Sequence, residues 1–197
     1  MTDTTLAPVS SPPITSLGDP FPLGLASFGI SALVLASVMS GLIDPLATPA
    51  VLSLALALGF FTEAIAGVLH FMRGETFAGM VFTTYAGFWL SYALLVQFYA
   101  PMVTADAAAI TGMFLLAWAI FSTYMLLAAL RTNLTTIAIF VVLCAVFYLA
   151  AFGAFASSTG LGHLAGYLLI VDALLALYAS AAIIVNTTWD RTVLPVP

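Results

Sequence analysis

Six runs of about 20 apolar residues, each joined to the next by a short polar turn, leave this chain few ways to fold. A hydrocarbon core about 30 Å thick is crossed by a helix of about 20 apolar residues. The runs lie at Phe21 to Ile43, Pro49 to Met72, Phe77 to Tyr99, Ala107 to Leu130, Leu134 to Ala156 and Leu161 to Val185. They predict an all-α integral membrane protein with six transmembrane helices. Only 6% of the residues are charged, where a soluble domain carries about a quarter. Three arginines and no lysine cannot track a phosphate backbone, so no nucleic-acid partner is expected. The lone Cys144 offers neither a disulfide framework nor a thiolate metal cluster.

Residues 1–18 read as a flexible tail. Met1 to Ser16 is rich in Thr, Ser and Pro and lacks the basic and apolar regions of a signal peptide. Residues 19–190 form the six-helix domain, and residues 191–197 a short C-terminal tail. The breaks have local causes: Asp44-Pro45 and Thr48-Pro49 suit helix starts, Pro101 follows the third run, and Ser157 to Gly160 parts the fifth from the sixth. Arg73, Arg131 and Arg191 follow the second, fourth and sixth runs, while Asp44 and Asp106 occupy opposite turns. Because positive charge stays on the cytoplasmic side, both termini are expected in the cytoplasm. The location is a cell membrane, plasma or bacterial inner, crossed several times.

Glu63 and His70 fall inside the second run and Asp172 near the middle of the sixth. An ionisable group at that depth costs about 2.5–3.5 kcal/mol on insertion scales, which makes each a functional candidate. Seven residues apart, Glu63 and His70 share a helix face about 10 Å from each other, together with Gly59 and Gly67. That stripe is either the polar wall of a wet cavity, with Glu63 and His70 exchanging protons or positioning an ion, or a glycine-lined helix contact. In the second case Glu63 is protonated and hydrogen-bonded, and His70 merely lies near the cytoplasmic interface. Asp172 either stays neutral and donates to a carbonyl of a neighbouring helix, or takes part in proton coupling. His163 is expected at the outer interface. Two histidines near opposite ends of the membrane do not make a metal site, no nucleophile elbow or phosphate loop is present, and nothing calls for a cofactor. An enzyme is not expected.

Several spaced motifs then point to a family. Asp19-Pro20-Phe21-Pro22-Leu23-Gly24-Leu25 resembles the Asn-Pro-Ala-Pro-Leu-Gly-Leu signature of the acetate uptake transporters, the succinate-acetate permease family. The resemblance continues through Ala66-Gly67, Gly74-Glu75-Thr76-Phe77, Phe82-Thr83-Thr84-Tyr85 with Phe88-Trp89, His163-Leu164-Ala165-Gly166 and Arg191 to Pro195. It covers nearly everything after Ser16.

The resemblance implies a six-helix protomer, a hexamer with a separate pore in each subunit, and passage of small monocarboxylates such as acetate, with succinate a further substrate. It places the pore constriction at Phe28, Tyr85 and Leu143 and the substrate vestibule at Asp19, Pro20, Pro22, Leu23, Gly24 and Thr84. An apolar ring gates by dewetting, and the tyrosine hydroxyl is expected to donate to a carboxylate that has lost its water. The Pro- and Gly-rich segment from Asp19 to Gly24 is expected to supply irregular backbone whose amides hold an anion at a helix start. The chain departs from the family at Asp19 for Asn, Phe21 for Ala, Glu63 for the frequent Gln, His70 for the frequent Glu, and Asp172 for a small or apolar residue. Glu63, His70 and Asp172 are the candidates for proton or ion coupling. The expected activity is that of an anion channel or proton-coupled permease; the alternatives are ammonia or ammonium export or conduction, and a membrane acetate sensor or scaffold that moves nothing.

Overall fold

The computed structural model describes residues 17–103 and 105–195. Residues 1–16, which hold most of the expected N-terminal tail, lie outside them, as do 196 and 197. Six helices are long and apolar enough to cross a membrane: α1 Phe21–Met39, α2 Pro45–Met72, α3 Thr76–Met102, α4 Ala107–Ala129, α5 Leu134–Phe155 and α6 Thr159–Trp189.

Local chemistry sets the ends. Asp44 accepts from Leu46 N at 2.8 Å ahead of α2, Asn133 from Thr136 N at 2.8 Å ahead of α5, and Ser158 from Leu161 N at 3.4 Å ahead of α6. Each satisfies an amide that the first helical turn leaves orphaned. Helix α1 stops four residues before the end expected from hydropathy. Gly41 there takes a left-handed φ of 78°, and Leu42 and Ile43 continue the apolar composition into an exposed turn. Helix α6 runs the other way, beyond the expected Val185 to Trp189. Its 31 residues extend about 46 Å at 1.5 Å per residue, more than a bilayer core requires. The chain then folds back, with Asn186 Nδ2 donating to Leu194 O at 2.7 Å and Asn186 Oδ1 accepting from the Val193 and Leu194 amides.

Helix α2 is not regular. It opens with a 3-10 turn at Pro45–Ala47 and passes through wide π turns over Ala55–Thr62, where Thr62 Oγ1 donates five residues back to Ala57 O at 2.9 Å. Such turns rotate everything beyond them relative to a straight helix. Helix α3 repeats the device at Leu95–Tyr99 before Pro101.

Helix α1 packs closely on α6, α6 on α5, α5 on α4, α2 on α3 and α1 on α2, while α3 touches α4 sparsely. Residues such as Ile65, Val68, Met80, Ile120 and Leu127 remain exposed on the outside. In a bilayer they face hydrocarbon, which is as apolar as they are. The inward positions of α1, α3 and α5 therefore converge on one axis, and the site lies there.

Candidate functional site

Three cavities follow that axis. The widest, about 480 Å³, opens at the end where α1 begins and α2 turns into α3; Asp19, Phe21, His70, Glu75, Phe77 and Thr136 are among its walls. Deeper lie two chambers of about 30 Å³ each. The inner one is lined by Phe21, Leu25, Phe77, Phe82, Ile139 and Phe140 among others, with Thr136 contributing its only polar side chain besides Tyr85. The outer one is lined by Leu35, Phe88, Trp89, Val146, Phe147 and Leu169. Phe28, Tyr85 and Leu143 line both chambers. Those three side chains, from α1, α3 and α5, thus form the partition between them. A chamber of this size has room for about one water, and a water needs two or more polar partners to stay. The described conformation is closed at the centre.

Tyr85 is fixed by its neighbours. Its ring lies parallel to Phe147 at 6.4 Å and meets Phe121 edge-on at 5.2 Å, a geometry that adds to simple burial. Its hydroxyl is 2.7 Å from Ser122 Oγ, and Ser122 donates its single hydrogen to Trp118 O at 2.8 Å. Tyr85 must therefore be the donor to Ser122. In this conformation the proton that the sequence reading offers to a passing carboxylate is directed at α4. Ser122 left no mark in the sequence beyond being a hydroxyl in an apolar run.

The expected vestibule residues divide. Asp19 lines the wide cavity; Pro20, Pro22, Leu23, Gly24 and Thr84 do not. Leu23 points outward, 41% exposed. Gly24 packs under Phe82, whose ring a Cβ would meet at 2.5 Å. The segment is not irregular either: Phe21 already begins α1, and Ser180 Oγ of α6 donates to Pro22 O at 2.7 Å. Phe21 N donates to Asp19 Oδ1 at 2.9 Å. The amide expected to receive a foreign anion is thus occupied by the chain's own carboxylate. Sequence reasoning missed Thr76, Phe77, Thr132, Asn133 and Thr136 in the vestibule wall. The cap pair Asn133 and Thr136, directly ahead of an apolar run, was the available signal.

The stripe on α2 also divides. Gly59 and Gly67 are helix contacts: a Cβ at Gly59 would meet the Trp89 ring at 2.4 Å, and one at Gly67 would meet Thr83 N at 2.6 Å. Glu63 is buried against the Trp89 indole, and among the described residues Glu63 Oε2, Trp89 Nε1 and Thr83 Oγ1 make no well-formed hydrogen bond. Glu63 lines none of the three cavities; Trp89 lines the outer chamber. His70 is 1% exposed, and it lines the vestibule. No single wet wall carries both groups.

His70 Nδ1 lies 2.5 Å from Glu75 Oε2, and Arg73 Nε donates to Glu75 Oε1 at 3.0 Å. Partial burial raises the Glu75 pKa, but the hydrogen bonds and charges of His70 and Arg73 outweigh it and hold this carboxyl below its usual range. Arg73 Nη1 also donates to Leu17 O at 2.5 Å, which ties the segment ahead of α1 to the turn after α2. Asp172 of α6 is 0% exposed, and among the described residues neither carboxyl oxygen has a hydrogen-bond partner. The carbonyl expected to receive its proton is not there. His163 is exposed, against the turn at Gly41.

The sequence pattern of the GPR1/FUN34/yaaH family matches residues 2–197. The chain is similar to the succinate-acetate/proton symporter SatP of Escherichia coli, 29% identical over 185 residues that make up 92% of this chain and 96% of that one. It is also similar to acetate permease A of Emericella nidulans, 30% identical over 68% of this chain and 49% of the other. Ammonia transport outward protein 3 of Saccharomyces cerevisiae is 30% identical over 82% of this chain and 60% of its own. The solved structure of the bacterial acetate channel SatP has the same fold, with a TM-score of 0.85 at 28% identity over 92% of this chain and 100% of that one. With six apolar helices and relatives of this kind, the chain is a multi-pass membrane protein, and it belongs to the GPR1/FUN34/yaaH family.

Proposed function

We propose that this chain passes small monocarboxylates, acetate foremost, across a cell membrane through a pore inside each protomer. The observation that carries the reading is the narrow, mostly apolar partition of Phe28, Tyr85 and Leu143 below a polar vestibule. Likeness to acetate and succinate transporters over most of the chain supports the substrate class. The narrow chambers favour a monocarboxylate over succinate. Their apolar walls oppose a bare anion, which favours movement of acetate together with a proton over free anion conduction. Glu63, His70 and Asp172 are the groups available to carry it.

The test is uptake of labelled acetate into proteoliposomes at acid and neutral pH, set against empty liposomes because neutral acetic acid crosses bilayers unaided. Saturable uptake above background, larger at acid pH, is expected. If Glu63 is the coupling group, Glu63→Gln flattens the pH dependence; a variant that keeps it in full excludes Glu63. Protein-dependent flux of ammonium without any for acetate would overturn the substrate. The three arginines support cytoplasmic termini, and the family resemblance supports a hexamer. A detergent-corrected mass equal to one chain would sink the latter.

A further inference from the structure

The floor of the vestibule repeats the pattern of the partition beyond it. Phe21, Phe77 and Thr136 line both the wide cavity of about 480 Å³ and the inner chamber of about 30 Å³, just as Phe28, Tyr85 and Leu143 line both chambers. The two sets come from the same helices, one residue each from α1, α3 and α5. Their members lie seven, eight and seven residues apart, which is two helical turns and about 10–12 Å along the axis. Leu25, Val81 and Ile139 form the layer between them. The route from the vestibule therefore narrows twice, with one small chamber between the two points.

Neighbours hold the first narrowing in place. The Phe21 ring meets the His70 ring edge-on at 5.8 Å and the Phe82 ring edge-on at 5.4 Å, and those two rings lie nearly parallel to each other. His70 is itself tied to Glu75. Phe77 packs against Phe140 of α5 at 5.9 Å. Such contacts favour one ring orientation over others. Phe21 stands where the signature that the sequence resembles has alanine, so the ring closing the floor from α1 is this chain's own departure. Phe21 and Phe77 are half-buried, whereas Phe28, Tyr85 and Leu143 are buried. The floor is thus the looser of the two rings. A slender acid such as acetate is held back chiefly at Tyr85, and a wider one meets Phe21 first.

We propose that Phe21, with Phe77 and Thr136, forms a second constriction and sets how wide a carboxylate passes from the vestibule into the inner chamber. This rests on the carboxylate-transport reading. Apolar rings exclude water as well as solutes. A wide acid is therefore turned back in the polar vestibule, before it has to shed its water, and only slender ones go on to the Tyr85 partition.

The experiment reads the floor by thiol chemistry, which does not depend on transport. Cys144→Ala removes the native thiol; in that background Val81→Cys places one in the inner chamber, and Thr76→Cys places one in the vestibule as a control. The full chain in lipid nanodiscs is treated with two anionic reagents, the slender sulfonatoethyl methanethiosulfonate and the wider p-chloromercuribenzenesulfonate, and modification is followed by mass. Val81→Cys is expected to react far more slowly than Thr76→Cys. Adding Phe21→Ala should speed Val81→Cys at least about tenfold with the slender reagent, and by a larger factor with the wide one. Phe21→Leu should give a smaller gain in the same order, and it serves should Phe21→Ala fail to fold. Unchanged rates at Val81→Cys in a folded Phe21 variant overturn the constriction and leave the transport reading standing. An equal gain for both reagents overturns selection by width. Absence of acetate flux through the native protein overturns the transport reading, and with it what the floor selects, whatever the thiol rates.

Discussion

Replacing Tyr85 with alanine should make the pore leak and weaken the fold together. The ring separates two chambers of about 30 Å³, and its removal merges them into a space where water can persist. Flux of acetate into proteoliposomes should rise at least about tenfold, which corresponds to about 1.4 kcal/mol off the barrier. Preference for acetate over larger carboxylates should fall at the same time. The packing against Phe121 and Phe147 goes too, with a stability loss of about 3–5 kcal/mol, as for other buried aromatics cut to alanine. Tyr85→Phe separates the two effects. It keeps the ring and loses only the bond to Ser122, so flux should stay native and stability should drop by about 1 kcal/mol. A folded Tyr85→Ala protein with native flux and native selectivity would remove the partition from the mechanism.

The six spans were legible because hydropathy averages over a whole helix and does not depend on where it ends. The ends were less so. Leu42 and Ile43 are as apolar as the helix before them, but Gly41 has already turned the chain. The π turns over Ala55–Thr62 have no compositional mark, and they displace Gly59 from an evenly wound α2, while Glu63 and His70 stay on the regular stretch Glu63–Met72. Phe28, Tyr85 and Leu143 were named through the family resemblance, and the structure places all three between the two chambers. Spacing could not have found them, since they meet only once three helices have packed. What escaped sequence reasoning entirely was hydrogen-bond bookkeeping. Whether Tyr85 has a proton to offer depends on Ser122, 37 residues away. Whether the start of α1 can hold an anion depends on Asp19 having already taken the Phe21 amide. Glu75 is five residues beyond His70, yet only the turn at Gly74, with φ of 79°, brings it back onto the ring.

Asp172→Ala should stabilise the protein. Both carboxyl oxygens of Asp172 are buried without a hydrogen-bond partner among the described residues, and an unsatisfied buried polar group costs about 1–3 kcal/mol. Alanine removes that cost and leaves a gap of only a few atoms beside Leu169 and Ala176, which are buried on the same face of α6. In a chain of this size a gain of about 2 kcal/mol raises the thermal midpoint by roughly 4–8 °C. Asp172→Asn keeps an orphaned polar group of the same shape and should gain little. The two variants should behave alike in transport, because neither can take up a proton there. If Asp172 contributes to coupling, acetate uptake loses part of its dependence on pH in both. Stability and coupling are thus read by different comparisons, alanine against asparagine for the first and either against the native chain for the second. A midpoint that falls in Asp172→Ala would mean that the carboxyl has a partner, such as a buried water. Unchanged pH dependence in both would leave His70 and Glu63 to carry the proton.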